Sequence, residues 1–98
     1  MSVLGQLSIR VKPGTRDTAL QAFRARRVFE ECAEAIPGFV QAFLLADRQD
    51  PDVICVFTEW RSAQDAADWR QSPVRAAQSK DLAHFLQDEP VTRLFDRH

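Results

Sequence analysis

Two eight-residue runs, Phe39–Ala46 and Val53–Trp60, carry apolar side chains on both of their faces, and only the six residues Asp47–Asp52 separate them. Period-two alternation marks strands, and Asp-Arg-Gln-Asp-Pro-Asp is turn chemistry, so the two runs form a hairpin. In the first, Phe39, Gln41, Phe43 and Leu45 face one way and Val40, Ala42 and Leu44 the other. In the second, Val53, Cys55 and Phe57 oppose Ile54, Val56 and Trp60. A hairpin apolar on both faces has to be covered on both. In a chain of 98 residues the helices suffice for one face. The other needs a partner, most simply a second copy packed sheet to sheet as a homodimer.

The flanking segments complete one pattern. Val3–Lys12 alternates, with Leu7, Ile9 and Val11 against Gln6, Ser8, Arg10 and Lys12, and Pro13-Gly14 ends it as a turn. Thr15 to about Ala35 holds good helix formers without Gly or Pro. Its stripe of Ala19, Leu20, Phe23, Val28, Cys32 and Ile36 predicts one long helix. On its outer face Arg27 can pair with Glu30 or Glu31, a solvated arrangement worth a few tenths of a kcal/mol at ~0.2–0.5 per pair. Pro37-Gly38 stops the helix. Ser62 is placed to cap a short helix with Asp65 at the third position, and this helix carries Trp69 and breaks at Ser72-Pro73. Pro73 opens a further helix running through Phe85 and Leu86, Pro90 stops it, and Val91–Phe95 forms a short fourth strand. The order is β-α-β-β-α-(α)-β over a single domain, residues 1–98. This is the α+β, ferredoxin-like pattern with a four-stranded antiparallel sheet.

Composition removes several classes. Hydrophobic residues make up 45% and charged residues 28%, as in an average globular chain, and no apolar run approaches the ~20 residues of a bilayer span. The formal net charge is −1, so there is no basic field to collect a nucleic acid, even though eleven of the thirteen basic residues are Arg. Met1-Ser-Val-Leu-Gly-Gln has neither a basic n-region nor an apolar h-region. With Cys32 and Cys55 the sole cysteines, free, buried thiols in a reducing cytoplasm are expected.

No metal-ligand set emerges, because His84 and His98 have no His or Cys at helical spacing, and three glycines make no phosphate loop. A cavity is the remaining candidate. Trp69 can point from its helix onto the sheet, where Leu7, Phe43, Phe57, Phe85 and Phe95 supply large apolar walls. Such a cavity with a few polar groups is the usual small-molecule site. The competing expectation is that these side chains simply fill the core.

Ile36-Pro-Gly-Phe39, Asp50-Pro51, Thr58-Glu-Trp-Arg-Ser62 and Trp69-Arg-Gln-Ser-Pro73 stand in an order and spacing that resemble the antibiotic biosynthesis monooxygenase family, from about Gly5 to Leu86. The resemblance implies a dimeric α+β barrel, two ferredoxin-like protomers packed sheet to sheet, with a ligand cavity between sheet and helices in each. It also implies secondary metabolism: oxidation by O2 of a hydrophobic, anthrone- or quinol-like aromatic of polyketide type, with no cofactor, neither metal nor flavin. The substrate supplies the electrons, and the protein binds, orients and stabilises its anion.

Carried over residue by residue, the family's helix tryptophan falls on Trp69, as a pocket wall that stacks on the ligand. The position where some of these oxygenases have Asn is Asp65, a base rather than a donor. An Arg late in some relatives falls near Arg93, a counter-charge for the anion. Asp65 and His84 are the expected proton handlers, and the tyrosines of one member have no counterpart, since the chain has no Tyr. The haem-degrading branch of the superfamily needs an Asn and an axial His where this chain has Leu7 and Ser79. A non-catalytic dimer that binds a small hydrophobic ligand, or assists a pathway enzyme, is the alternative of the same fold.

Overall fold

A computed structural model describes residues 2–98. Strand β1 is Val3–Arg10, helix α1 Arg16–Ala25, helix α2 Val28–Ala35, and the hairpin is β2 Phe39–Ala46 with β3 Val53–Trp60. Helix α3 covers Ala63–Gln71, helix α4 Pro73–Leu82 with one 3-10 turn after it at Ala83–Phe85, and β4 is Val91–Asp96. The strands lie in the order β2-β3-β1-β4 and every neighbouring pair is antiparallel. The fold is therefore the α+β, ferredoxin-like one that the element order implied.

Register decides what each face holds. Leu7 lies opposite Val56 and Ile9 opposite Ile54, so these four side chains share the face under the helices. With Val11, Ala19, Phe23 and Leu82 they make the main core. A second cluster joins Val3, Cys32, Ile36, Trp60 and Ala66. Trp60 is 2% exposed, and full burial of each such large side chain stabilises by ~1.5–3 kcal/mol. The opposite face stays uncovered in the protomer. There Phe43 is 51% and Val91 61% exposed, with Leu45 and Phe95 beside them.

The expected single helix Thr15–Ala35 is two. Arg26 N–H bonds to Ala22 C=O, closing α1, and Glu31 N–H to Arg27 C=O opens α2. Between them Arg27 adopts the left-handed conformation at φ 59°. The apolar stripe gives the reason. Ala19 to Phe23 and Val28 to Cys32 are steps of four, but Phe23 to Val28 is a step of five, which a continuous helix would rotate off the core. One residue at positive φ absorbs the slip, at a cost of roughly 1–2 kcal/mol.

The hairpin departs from strict alternation at one place. Phe39 pairs with Trp60 and Gln41 with Glu59, so Val40 is an extra residue in a β-bulge. The bulge turns Phe39 to the helix face, away from Gln41, Phe43 and Leu45, with which it was expected to lie. There it meets Trp60 edge-on at 5.7 Å. The helix after Pro73 also ends sooner than expected, at Leu82, and Leu86 bridges to Val11 instead.

Candidate functional site

The sheet's covered face and the helices do not close on each other completely. A cleft of about 730 Å³ remains between them. Its floor is Leu7 and Ile9 of β1, Val56 and Thr58 of β3, and Thr92 of β4; its roof is Phe23 of α1, Val28, Phe29 and Cys32 of α2, Trp69 of α3, and Arg75, Gln78, Ser79 and Leu82 of α4. The segment Gln87–Pro90 forms the rim. A cavity mostly apolar with a few polar groups suits a flat hydrophobic molecule.

Local sequence fixes each wall. Ser62 caps α3 as the spacing implied: its hydroxyl accepts from Asp65 N–H at 3.2 Å and donates to Asp65 Oδ2 at 2.8 Å. The carboxylate thus meets the capping hydroxyl, where a full capping box would have it on the Ser62 backbone N–H. Asp65 leans against Gly38, where a Cβ would collide with the carboxylate. Set in this way, α3 holds Trp69 half-buried, 6.1 Å from Trp60. Trp60 Nε1–H donates to Thr58 Oγ1 at 3.0 Å, which leaves the hydroxyl proton of Thr58 to donate elsewhere. Gly5 lies across from Thr58, and a Cβ there would stand 2.8 Å from Thr58 Oγ1. Ser72 caps α4 through Val74 N–H at 3.1 Å with Pro73 in the first turn, and this puts Arg75, Gln78, Ser79 and Leu82 along one face toward the cleft.

Gln78 is the polar side chain most deeply set in this wall, at 7% exposure. Its Nε2 donates both protons, to Val28 C=O at 3.1 Å and to Glu31 Oε1 at 3.0 Å. Glu31 in turn accepts from Arg26 at 2.6 Å, and Arg26 also donates to Asp81 at 2.9 Å. Hydrogen bonds from Gln78 and then from Arg26 hold the Glu31 carboxyl below its ordinary pKa. Arg75 is half-buried, lines the cleft, and among the described residues makes no ion pair. Cys32 is 1% exposed, and burial pushes its thiol up to about 12, so it is an inert part of the wall.

The residues singled out from the sequence separate into three groups. Leu7 and Trp69 line the cleft. Phe43, Phe57 and Arg93 do not, because strand register puts all three on the opposite, open face; Arg93 lies over the Phe95 ring there at 5.5 Å. Phe43 and Phe57 border a shallow depression on that face with Glu59 and Arg97. Phe85 packs on the core from outside the cleft, and exposed His84 stacks on it at 4.1 Å. Asp65 is spent on the helix cap beneath Gly38 rather than turned into the cavity. Sequence reasoning passed over Arg75 and Gln78. A signal existed for Gln78, a polar residue midway in the Val74-Gln78-Leu82 stripe of a helix whose other stripe members are apolar.

The chain is thus an α+β protein with a ferredoxin-like sheet and, under its helices, a cleft lined by Trp69 and Arg75. Residues 3–80 match the family described as antibiotic biosynthesis monooxygenase, and the chain belongs to that family. Among solved structures it is similar to SnoaB, a cofactor-independent oxygenase from Streptomyces nogalater, at 18% identity and TM-score 0.80, with 99% of this chain and 93% of that one covered. It is similar too to Rv0793 from Mycobacterium tuberculosis (17%, TM-score 0.76, 100% and 96%) and to a conserved protein from Methanosarcina mazei Go1 (13%, TM-score 0.83, 100% and 94%). At such identities the likeness is one of fold. No curated protein sequence matches the chain. No helix among the described residues is long and apolar enough to cross a membrane.

Proposed function

We propose that the protein is a cofactor-independent monooxygenase that oxidises a hydrophobic anthrone- or quinol-like aromatic with O2 in the cleft between sheet and helices. The observation that carries this is the convergence of Trp69 and Arg75, which makes no ion pair among the described residues, on an apolar cleft large enough for a fused aromatic ring system. Loss of a proton from the CH2 across the central ring from the carbonyl, acidic because it is conjugated to that carbonyl through the flanking rings, gives a phenolate-like anion. That anion passes one electron to O2, and the resulting carbon radical and superoxide combine into a peroxide. Protonation and loss of water then leave a second carbonyl, so one anthrone and one O2 yield one quinone and one water. The electrons come from the substrate, and the protein's tasks are orientation and charge stabilisation.

Trp69 stacks on the ring, and Leu7 and Val56 form the opposite wall. Arg75 takes the counter-charge role expected of Arg93, since it is the guanidinium that lines the cleft. The carboxylates within reach of the cleft are Asp88 and Glu89 on the rim, in place of Asp65 and His84, and they receive the proton. A haem does not suit the site, because Leu7 and Ser79, where the haem-degrading branch has its Asn and axial His, line the cleft without offering an imidazole. The functional unit is a homodimer closed through the open sheet face.

The position of Asp65 and His84 outside the cleft favours one second possibility, a ligand-binding protein without proton chemistry of its own. Oxygen uptake separates the two. Metal- and flavin-free protein given anthrone should exceed the spontaneous oxidation, and Arg75→Gln should lower that rate ~10²-fold, the usual scale for removing one anion-stabilising donor. Quenching of Trp69 by the ligand without oxygen uptake would establish the binding protein instead.

A further inference from the structure

Gln78 is more than nine-tenths buried, yet none of the described residues donates to its Oε1. No fully buried side-chain oxygen in the described residues lacks a partner, so this oxygen has access to space, and the space Gln78 borders is the cleft. Its orientation is not a free choice. The two groups behind it, Val28 C=O and the Glu31 carboxylate, can only accept, so the amide must turn its NH2 toward them and its oxygen toward the cavity. Arg26, bonded to Glu31 and Asp81, keeps that carboxylate ionised and in place, and the left-handed Arg27 brings Arg26 back onto Glu31, five residues on.

We infer that Gln78 is a specificity-determining residue: its fixed carboxamide oxygen selects, among flat aromatics, those that bring a hydroxyl or N–H donor to the α4 wall. The inference rests on the cleft being the ligand site. In the oxidation proposed above, this donor is a ring hydroxyl remote from the carbonyl that becomes anionic, since a lone acceptor would repel the anion itself. An ether of the same shape leaves the buried oxygen without a partner, and sites built this way discriminate strongly against ligands that lack the matching group. Glu31 acts through Gln78 as a positioning residue.

Calorimetric titration of the intact protein with 2-naphthol and 2-methoxynaphthalene tests this with one ring system and one changed group. The expected result is at least tenfold tighter binding of the naphthol, reduced to within threefold in Gln78→Met, which keeps the length and removes the acceptor. Glu31→Gln supplies a second reading independent of cavity shape. A glutamine there can donate to Oε1 and let the Gln78 amide turn over, so the preference for naphthol should narrow while the methoxy compound binds no worse. Equal binding of both probes by the wild-type protein, binding of neither, or a preference that survives in Gln78→Met would overturn the assignment. Anthrone oxidation on the same preparations keeps the two claims apart. Oxidation with unselective binding removes the role of Gln78 and leaves the activity, and selective binding without oxidation does the reverse.

Discussion

At the scale of single residues, three positions show how little freedom packed side chains have. Gly38 is glycine because the Asp65 carboxylate occupies the place of its Cβ. Gly38→Ala should cost about 1–3 kcal/mol in denaturant unfolding, through displacement of Asp65 from the α3 cap and overpacking around it. Glu59, 7% exposed on the open sheet face, accepts from Gln41 Nε2 and Ser2 Oγ at 2.7 Å and from Arg97 at 2.9 Å. Those bonds outweigh its burial and lower its pKa from 4.5 to about 2. A carboxyl whose pKa is depressed by folding contributes stability above its unfolded value, and that stability is lost as pH falls through the folded one. The melting temperature should therefore decline from about pH 4.5 toward pH 2, with a visibly flatter acid limb in Glu59→Gln. Cys32, with its thiol raised to about 12, should resist iodoacetamide at pH 8 until the chain is unfolded in urea, whereas the half-buried Cys55 stays open to the reagent; rapid labelling of native Cys32 itself, read by peptide mapping, would contradict its burial.

At the scale of elements, the break between α1 and α2 carries the clearest expectation. Arg27 holds φ 59° with a side chain that is exposed and makes only long ion pairs, to Glu30 at 3.7 Å and Glu34 at 3.9 Å. Arg27→Gly should thus be neutral or stabilising by about 0.5 kcal/mol, relief of the left-handed strain exceeding the extra freedom of the unfolded chain, whereas Arg27→Val should destabilise by more than 1 kcal/mol. Urea midpoints of the two variants on either side of wild type would check this. The same break marks where sequence patterns stop being sufficient. Strands and turns were legible because period two and Pro-Gly pairs are local signals, and the Ser62–Asp65 cap because it is a four-residue motif. The slip between Phe23 and Val28 was present in the apolar stripe, but only packing against the sheet decides between a twisted single helix and two. The bulge at Val40 is likewise invisible locally, since it serves the contact of Phe39 with Trp60. That Leu7 and Trp69 would face the space between sheet and helices could be read from type and position, while Phe43, Phe57 and Arg93 required strand register, which assigns whole faces at once.

At the scale of the whole molecule, the sheet separates two unlike faces. One face bears the cleft, and the other presents Phe43, Leu45, Val91 and Phe95, each at least 42% exposed. An apolar surface of that kind on a folded protomer fits the homodimer proposed above. Phe43→Glu should convert a dimer into a folded monomer in sedimentation velocity at micromolar concentration; a wild-type protein that is itself monomeric there would remove the dimer. The central claim, that this cleft oxidises an aromatic by O2 without a cofactor, meets its most direct trial in turnover of anthrone under 18O2 by metal- and flavin-free protein. The expected outcome is one O2 consumed per quinone, one labelled oxygen in the new carbonyl, and a rate above the spontaneous reaction that falls at least tenfold in Trp69→Ala. A rate equal to the spontaneous one, or one unchanged by Trp69→Ala, would contradict it.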